Sequence, residues 1–254
     1  MSNGNGNTAV SDLQQDQMLK IITKSFYREL INYGIHEKDV VTISTYLLDC
    51  VMKEKVSSRK SEFYSQLFSI KDISDEWTAA RKLTLHEVRI SPLTPEMYAQ
   101  VAVWLKNPTI KYSFISLFPD SESGLTQYLN HPRREYFSIF YCNEQVGVIG
   151  ADNIDVESKK LEMRKFVGNT GLQGKGIGKL ATFLFLYYSF CILNFEKIYI
   201  HSGDTNIRNI NLNSKFGFEL EGLFFDDVYV KNERHDVVRM GLLKSRWMEI
   251  FSAA

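Results

Sequence analysis

The chain has 254 residues, of which 44% are hydrophobic and 24% charged, and its 30 basic and 30 acidic residues give a formal net charge of zero. This is the composition of an ordinary globular protein, with neither the basic field of a nucleic-acid-binding protein nor an acidic tail. The three cysteines, Cys50, Cys142 and Cys191, are odd in number and lie far apart without a C-x-x-C pair, so neither a disulfide framework nor a zinc site is indicated.

The first 80 residues are predicted to be mainly helical. The Asn- and Gly-rich start predicts a disordered tail over residues 1–10. Two segments then have apolar residues at helical spacing, the first ended by Gly34, and RKSEFYSQLFSI suggests a third, shorter helix. Because residues 11–79 lack the spacing of a catalytic or metal site, we interpret them as a helical module that packs or binds a partner.

The pattern changes near residue 80. LTLHEVRIS alternates as one strand, and TPEMYAQVAVWLKNP predicts a helix with Thr94 as its cap, Pro95 at its first position and Pro108 after its end. SESGLTQYLNH predicts another short helix. YFSIFYC and QVGVIGADNID predict two strands joined by a turn at Asn143-Glu144, and LEMRKFVG predicts a third strand.

The last third of the chain continues this alternation of elements. LATFLFLYYSFCIL predicts an apolar helix that is too short to span a bilayer, EKIYIHS a strand, and TNIRNINLNSKFG a helix ended by Gly217. LFFDDVYVKNERHDVVRMGLL predicts a hairpin that turns at residues 231–234. These elements predict an α+β or mixed α/β domain around one sheet. Without a signal-peptide pattern at the start, we expect a cytoplasmic protein that does not enter the membrane.

The segment QGKGIGK places Gly174, Gly176 and Gly178 where a strand turns into a helix. A helix N-terminus exposes backbone N–H groups, and glycines let an anion approach them without a Cβ in the way. The spacing differs from both Gly-x-Gly-x-x-Gly and a Walker A loop. The segment therefore predicts a pyrophosphate site, with a tight strand-to-helix turn as the structural alternative.

Gln173-x-x-Gly176-x-Gly178 resembles the acyl-CoA pyrophosphate loop of the GNAT N-acetyltransferases. The resemblance spans residues from about 84 to 247. LEMRKFVGN is similar to the family's splayed central strand, NIRNINLNSKFGFELEG to its helix closed by Lys-x-Gly-Phe, and VYVKNERHDVVRMGLLKSRW to the terminal hairpin of the RimJ/RimL branch. The resemblance implies an α+β GNAT fold over residues 80–254, with a mixed, mostly antiparallel sheet and flanking helices.

The resemblance also implies acetyl-CoA as co-substrate, no metal, and direct attack of a primary amine on the thioester. It implies that the pyrophosphate is held by Gln173, Gly174, Lys175, Gly176, Ile177, Gly178 and Lys179. It implies contacts with the pantetheine arm at Phe166, Val167, Gly168, Asn206 and Asn209. For Asn206, a helix-capping role is equally compatible with the sequence.

Two residues are candidates for the general base. Glu162 shares a strand face with Arg164, and many relatives carry a carboxylate near this position, although a salt bridge to Arg164 or Lys160 is an equal alternative. His201 ends the next strand and has a suitable pKa range, although a lone histidine is more often structural.

The residue at the position of the family's general acid departs from the family pattern. Spermidine acetyltransferases and many other relatives have a tyrosine four residues before the glycine of the closing motif, where this chain has Asn213. An asparagine can donate a hydrogen bond to a thiolate but cannot supply a proton. Because thiols ionise near a pKa of about 8.5, the sulfur could leave as a thiolate. Asn213 is therefore a contact candidate without the usual acid role.

The acceptor is expected to be a small-molecule amine. NIRNINLNSKFGFELEG resembles enzymes that acetylate nucleotide-linked amino sugars, and Arg133 and Arg134 could face a phosphate. A polyamine would suit an acidic pocket near Asp120, Glu122 and Glu135, and a protein N-terminus is a third choice. A solvated surface loop is favoured over a phosphate site and over an acidic pocket as the explanation of these charges. The alternative of another class is a non-catalytic acyl-CoA-binding module. In that alternative the N-terminal helices are the contact with a partner. In either case we expect these helices to dock onto the GNAT domain or to form a homodimer.

Overall fold

The computed structural model describes residues 6–32, 34–53, 63–107, 110, 119, 121–203, 206–230 and 232–251. The chain divides into two compact units, residues 1–62 with 204–208 and residues 63–203 with 209–254. The predicted division into a tail over residues 1–10, a helical module over 11–79 and a catalytic domain over 80–254 stays a prediction.

The first unit contains helices α1 (Gly6–Asn32) and α2 (Glu37–Lys53), which confirms the two helices predicted there. The chain turns between them at Gly34, whose φ of 79° suits a glycine and whose N–H donates to the Ile31 carbonyl (2.9 Å). The predicted third helix lies partly outside the described residues. Its described part forms single turns of 3₁₀ helix at Tyr64–Gln66 and Ile70–Asp72.

The second unit is built on one sheet. In the described part of the chain, the sheet has nine strands in the order β1-β2-β3-β4-β5-β6-β7-β9-β8, antiparallel throughout except for the parallel pair β6–β7. The strands are β1 (Ser74–Glu76), β2 (Lys82–Leu85), β3 (Val88–Pro92), β4 (Glu135–Tyr141), β5 (Glu144–Asp155), β6 (Lys160–Val167), β7 (Lys197–Gly203), β8 (Glu219–Val230) and β9 (Glu233–Leu243). The predicted mixed, mostly antiparallel sheet is thereby confirmed.

Helices flank this sheet. They are α3 (Trp77–Ala80), α4 (Tyr98–Leu105), α5 (Glu122–Leu129), α6 (Ile177–Tyr187), α7 (Ile207–Ser214) and α8 (Lys244–Phe251). A turn of π-helix at Tyr188–Ile192 extends α6. The helix α8, which the sequence analysis did not predict, buries Trp247 and Phe251.

Two apolar clusters hold the helices to the sheet. One joins α4 and α5 to β4, β5 and β6, and its members are Tyr98, Val101, Ala102, Leu105, Ile110, Leu125, Tyr136, Val148 and Phe166. The other is aromatic, and its rings are Phe68, Phe183, Phe216, Trp247 and Phe251. The helix α6 is apolar around most of its circumference, and seven of its eleven residues are buried.

Two local predictions were wrong. LTLHEVRIS is a hairpin, β2 and β3, because the apolar alternation breaks at His86-Glu87, where His86 has a φ of 51°. The turn after β4 falls at Cys142-Asn143, one residue earlier than predicted, since both residues have positive φ (49° and 67°) as a type I′ turn requires.

Candidate active site

The parallel pairing between β6 and β7 ends halfway along both strands. The paired positions are Lys160 with Lys197, Leu161 with Ile198, and Glu162 with Tyr199. Beyond them β6 runs on to Val167 and β7 to Gly203, and β7 is held only by β9 on its other side. Peptide groups on the facing edges are therefore left to pair with something else.

The helix α6 follows β6 along the chain, so its N-terminus comes shortly after the unpaired end of that strand. Gly174 and Gly176 have φ values of 88° and 86°, which favour glycine, and the N–H groups of Lys179 and Leu180 both donate to the Gly176 carbonyl (3.0 and 3.1 Å). Within the described residues, the N–H groups preceding Lys179, those of residues 176–178, donate no hydrogen bond. Such a run of N–H groups at a helix N-terminus is suited to an anion.

Space and charge around this turn also suit an anion. A Cβ on Gly178 would lie 3.9 Å from Val167 Cγ2 and one on Gly176 3.8 Å from Lys179 Cε, so neither glycine is crowded. Lys175 is exposed, whereas the Lys179 ammonium lies 5.0 Å from the centre of the Tyr64 ring.

The peptide groups at the end of β6 point in alternating directions. Gly168 donates its N–H to the Val146 carbonyl on the β5 side (2.7 Å), and a Cβ on Gly147 of β5 would collide with the Phe166 carbonyl. Because peptide groups alternate along a strand, those of Val167 face the gap. The Val167 carbonyl accepts a hydrogen bond from Gln173 Nε2 (3.0 Å). Among the three predicted backbone contacts, Val167 therefore has the accessible N–H.

A cleft of about 580 Å³ opens beside Gly168. Its lining residues are Gln100, Trp104, Gln145, Gly168, Asn169 and Thr170. The Trp104 ring packs so closely on Gly168 that a Cβ there would collide with it. Glycine at this position is thus required for Trp104 to form the wall of the cleft.

Glu162 is 2% exposed and accepts three hydrogen bonds or ion pairs at the point where the strands diverge. Its donors are Arg164 Nη2 (2.9 Å), His201 Nδ1 (3.1 Å) and Asn153 Nδ2 (2.7 Å). Burial opposes ionisation, but the hydrogen bond from His201 and the charge of Arg164 outweigh it, so the pKa of Glu162 is lowered. A carboxylate held in this way is a weak proton acceptor and a strong positioning group.

His201 and Glu162 form a dyad across the divergence point. With its Nδ1–H directed at the carboxylate, the imidazole presents Nε2 as its acceptor nitrogen. The ring is edge-on to Tyr199 and Phe224, with centroids 5.5 and 5.9 Å away, and the side chain is 26% exposed. The sequence analysis treated the two residues as separate candidates, and the structure brings them into contact.

A second buried carboxylate, Asp152, extends this polar cluster. Asp152 lies directly opposite Glu162 on β5, with Arg134 Nε 2.7 Å and Arg164 Nε 2.9 Å from its oxygens. Tyr128 donates its hydroxyl hydrogen to the same carboxylate, and burial and this hydrogen bond raise the pKa of Tyr128. Arg164 thus joins two carboxylates, so opposite charges alternate through the cluster.

Asn213 is 1% exposed, and its amide is occupied by neighbours. Its Nδ2 donates to the backbone carbonyl and to Oδ1 of Asn209 (2.8 and 3.0 Å), and its Oδ1 accepts from Lys165 Nζ (2.9 Å). Asn209 Nδ2 in turn donates to Ser202 Oγ on β7 (3.2 Å). Lys165 was not predicted as a site residue, although a lysine next to Phe166 in a half-buried strand was a signal.

The remaining predicted residues lie apart from this constellation. Glu135 accepts from the Tyr188 hydroxyl (2.9 Å to each oxygen), and burial raises the pKa of Glu135. Arg133 Nε donates to the Ile154 carbonyl (3.1 Å), and Glu122 is exposed in the first turn of α5. Asp120 lies outside the described residues. Asn206 belongs to the first compact unit, and its pantetheine contact stays a prediction.

Within the ranges that the structure describes, no helix is long and apolar enough to cross a membrane. The same ranges contain no group of three or more His, Cys, Asp or Glu residues arranged to hold a metal ion.

Comparison with known proteins gives the family that the chain resembles. The family model described as Acetyltransferase (GNAT) family matches residues 100–218. The matched residues of the chain are similar to the GNAT acetyltransferases. The chain has the GNAT fold that the sequence predicted, and it is an acyltransferase with acetyl-CoA as co-substrate.

Two curated relatives of this GNAT protein are spermidine N(1)-acetyltransferases. The one from Vibrio cholerae serotype O1 is 36% identical over 76 residues, 30% of this chain and 44% of the relative. The one from Escherichia coli K12 is 22% identical over 167 residues, 64% of this chain and 89% of the relative. The crystal structure of spermidine N-acetyltransferase from Vibrio cholerae with CoA and spermine has a TM-score of 0.60 at 22% identity. It covers 64% of this chain and 98% of that one, and this similarity establishes the fold.

Proposed function

We propose that this GNAT protein transfers the acetyl group of acetyl-CoA to a primary amine in the gap between β6 and β7. The observation that carries the proposal is the end of strand pairing after Glu162 and Tyr199. It leaves two strand edges unpaired next to a helix N-terminus whose N–H groups suit an anion. Holding both substrates in such a gap makes the attack effectively intramolecular.

The donor site in this proposal begins at the loop Gln173–Lys179. The N–H groups of residues 176–178 bind the pyrophosphate, and Lys175 adds positive charge. The pantetheine arm follows the gap, where the N–H of Val167 pairs with it or polarises the thioester carbonyl. Asn209 and Asn206 stay proposed contacts of the same arm.

The general base in this proposal is His201. Its Nε2 takes the proton that the amine nitrogen loses when the C–N bond forms. Glu162 holds the ring by Nδ1 and stabilises the imidazolium that results, because its charge is adjacent and its lowered pKa keeps it ionised. Glu162 is therefore a positioning residue in this mechanism.

For the acceptor, we propose a polyamine. The curated relatives are named as spermidine acetyltransferases. A bulge in β8 between Phe224 and Val228 exposes Asp226 and Asp227, and the Phe224 ring contacts His201. Carboxylates on the strand whose Phe224 ring packs on His201 suit a second ammonium of the same acceptor.

A nucleotide-linked amino sugar, the acceptor that the sequence suggested first, is the second candidate. It was based on the resemblance of NIRNINLNSKFGFELEG to such enzymes, with Arg133 and Arg134 as groups that could face a phosphate. Arg134 is engaged with Asp152 and its cation stacks on Tyr128, 3.6 Å from the ring centre. This acceptor therefore has less support from the described contacts.

The test is acetyl-CoA-dependent thiol release by the purified chain. The acceptors are spermidine, a nucleotide-linked amino sugar and a peptide with a free N-terminus, with tri-N-acetylated spermidine as the matched blank. Turnover on spermidine above the blank is expected. Turnover on another amine would reject the polyamine acceptor only. Tight acetyl-CoA binding without transfer to any amine would favour the non-catalytic module and reject the enzyme proposal.

A further inference from the structure

Lys165 is a half-buried cation that the proposed mechanism leaves unused. It lies in the unpaired part of β6, between Glu162 and Val167, and directly opposite Ile149 of β5. Its Nζ donates to Asn213 Oδ1 (2.9 Å), and no other hydrogen bond or ion pair of this ammonium is made within the described residues. Two of its three N–H donors are therefore left for another acceptor.

The position of Lys165 relative to the gap follows from its hydrogen-bonded chain. From Nζ the chain runs through Asn213 and Asn209 on α7 to Ser202 on β7. It thus bridges the two diverging strands on the α7 side. Glu162 and Lys165 are three residues apart on β6, so their side chains leave opposite faces of the strand.

We propose, on the basis of the proposed function, that Lys165 is the general acid that protonates the sulfur leaving from acetyl-CoA. The amine nitrogen forms a bond to the carbonyl carbon and loses its proton to His201 Nε2. The C–S bond then breaks, its electron pair goes to sulfur, and a proton from the Lys165 ammonium completes the thiol. Proton exchange with water restores the ammonium and the neutral imidazole, so the net products are the amide and CoA.

The surroundings of Lys165 lower the pKa of its ammonium group, so that the group can donate a proton near neutral pH. Burial lowers the pKa of Lys165 to about 7, and no charged neighbour contributes to this shift. Its contacts on β5 and α7 are uncharged. Two nearby lysines whose side chains the structure describes, Lys179 and Lys215, hold their ammonium groups 5.0 and 5.7 Å from the Tyr64 ring centre. A donor with this pKa matches a thiol that ionises near about 8.5.

This assignment also explains the asparagine at position 213. Its Oδ1 holds the lysine ammonium, while both contacts of its Nδ2 go to Asn209. Asn213 is thus a positioning residue for Lys165. In this proposal the proton donor is the Lys165 ammonium, which is hydrogen-bonded to Asn213, and Asn213 itself donates no proton.

Two variants test the assignment, Lys165→Met and, as a matched control on the same strand, Lys160→Met. Lys160 pairs with Asp155 (3.6 Å) at the start of β6, outside the proposed machinery. The first measurement needs no turnover: the ultraviolet absorbance of the thiolate is titrated on CoA bound to each protein. We expect the bound thiol to ionise at lower pH on the wild type and the control than on Lys165→Met, because the ammonium stabilises the thiolate.

The second measurement is kcat against pH with saturating amine. The wild type should lose turnover as the pH rises through the pKa of Lys165 in the ternary complex. Lys165→Met should lack that limb and be slower by about 10²-fold, the lower end for general acid catalysis. Lys165→Arg, which keeps the charge but holds its proton too tightly, should stay slow.

The outcomes separate the two proposals. Equal thiol ionisation on wild type and Lys165→Met, or equal kcat and pH profile, would overturn the role of Lys165 while leaving the acetyltransferase intact. A wild-type chain that binds no CoA would overturn the proposed function and the role of Lys165 together. Acetylation of Lys165 itself, seen by mass spectrometry as a dead-end product, would also overturn the acid role.

Discussion

Replacing Glu162 by glutamine tests the dyad with His201 most directly. The change keeps the shape of the side chain and removes the charge that Arg164 Nη2 and His201 Nδ1 contact at 2.9 and 3.1 Å. The residue is 2% exposed, so water cannot replace the lost interactions. The amide of glutamine could also turn an NH₂ group towards His201, which would favour the wrong tautomer.

The loss of stability that we expect for Glu162→Gln follows from the burial of the ion pair between Glu162 and Arg164. Removing one partner of a buried ion pair costs about 3–5 kcal/mol, because the other charge stays buried. For a domain of this size each kcal/mol lowers the melting temperature by about 2–4 °C, so we expect a decrease of about 6–20 °C at pH 7. Turnover should fall by about 10²-fold, since the base is no longer oriented.

The pH dependence separates a charge effect from a packing effect. The folded-state pKa of Glu162 is lowered, so the carboxylate stabilises the fold above its ordinary pKa, and this contribution is lost as the pH falls through the lowered value. The difference in melting temperature between wild type and Glu162→Gln should therefore shrink below about pH 4. The control is Glu157→Gln, at an exposed position in the turn after β5. Equal stability at pH 7, or a difference that persists unchanged to pH 3.5, would refute the reasoning.

Three further predictions concern the same site. Gly178→Glu should abolish acetyl-CoA binding, measured by calorimetry, because a carboxylate at this position repels a pyrophosphate. The fold should be kept, since the added Cβ has room (3.9 Å to Val167 Cγ2) and a carboxylate in the first turn suits the helix dipole. Unchanged affinity for acetyl-CoA would reject the assignment of the loop. His201→Gln should lower kcat by about 10²-fold or more with acetyl-CoA affinity unchanged, and a normal rate would leave His201 structural. Asn213→Asp should move the alkaline limb of kcat to higher pH, because an adjacent carboxylate raises the pKa of Lys165, and a limb that stays in place would contradict the contact between them.

The sequence predicted those parts of the site that depend on backbone conformation. Glycines at positions 174 and 176 adopt φ values that only glycine adopts easily, so their type and spacing carry the information. The order of strands and helices around them followed from the periodicity of apolar residues in the same way. In contrast, the turn at His86-Glu87 interrupts the apolar alternation for only two residues, so the alternation over the whole segment predicted a single strand.

The polar contacts of the site could not be predicted because they depend on strand register. Asp152 faces Glu162 only because β5 and β6 pair with Asp152 opposite Glu162, and a shift by one residue would turn one carboxylate to the other face. Asp152 and Arg134 stand 18 residues apart in the chain, and nothing in their spacing indicates an ion pair. Likewise, Lys165 and Asn213 meet across 48 residues.

Successive side chains of β6 point to opposite faces of the sheet, and this alternation separates the acidic cluster from Lys165. Even-numbered side chains, those of Glu162 and Arg164, belong to the cluster with Asp152 and His201, whereas Lys165 points to α7. Glu162, which positions the base His201, and the proton donor Lys165 lie on opposite faces of one strand and cannot pair with each other, although they are only three residues apart. An amine that enters from the His201 side and a thiol that leaves on the Lys165 side would therefore each meet the group with the required protonation state. Moving the lysine to position 164 or 166 would place its ammonium on the face of Glu162, where an ion pair would raise its pKa and remove it as an acid near neutral pH.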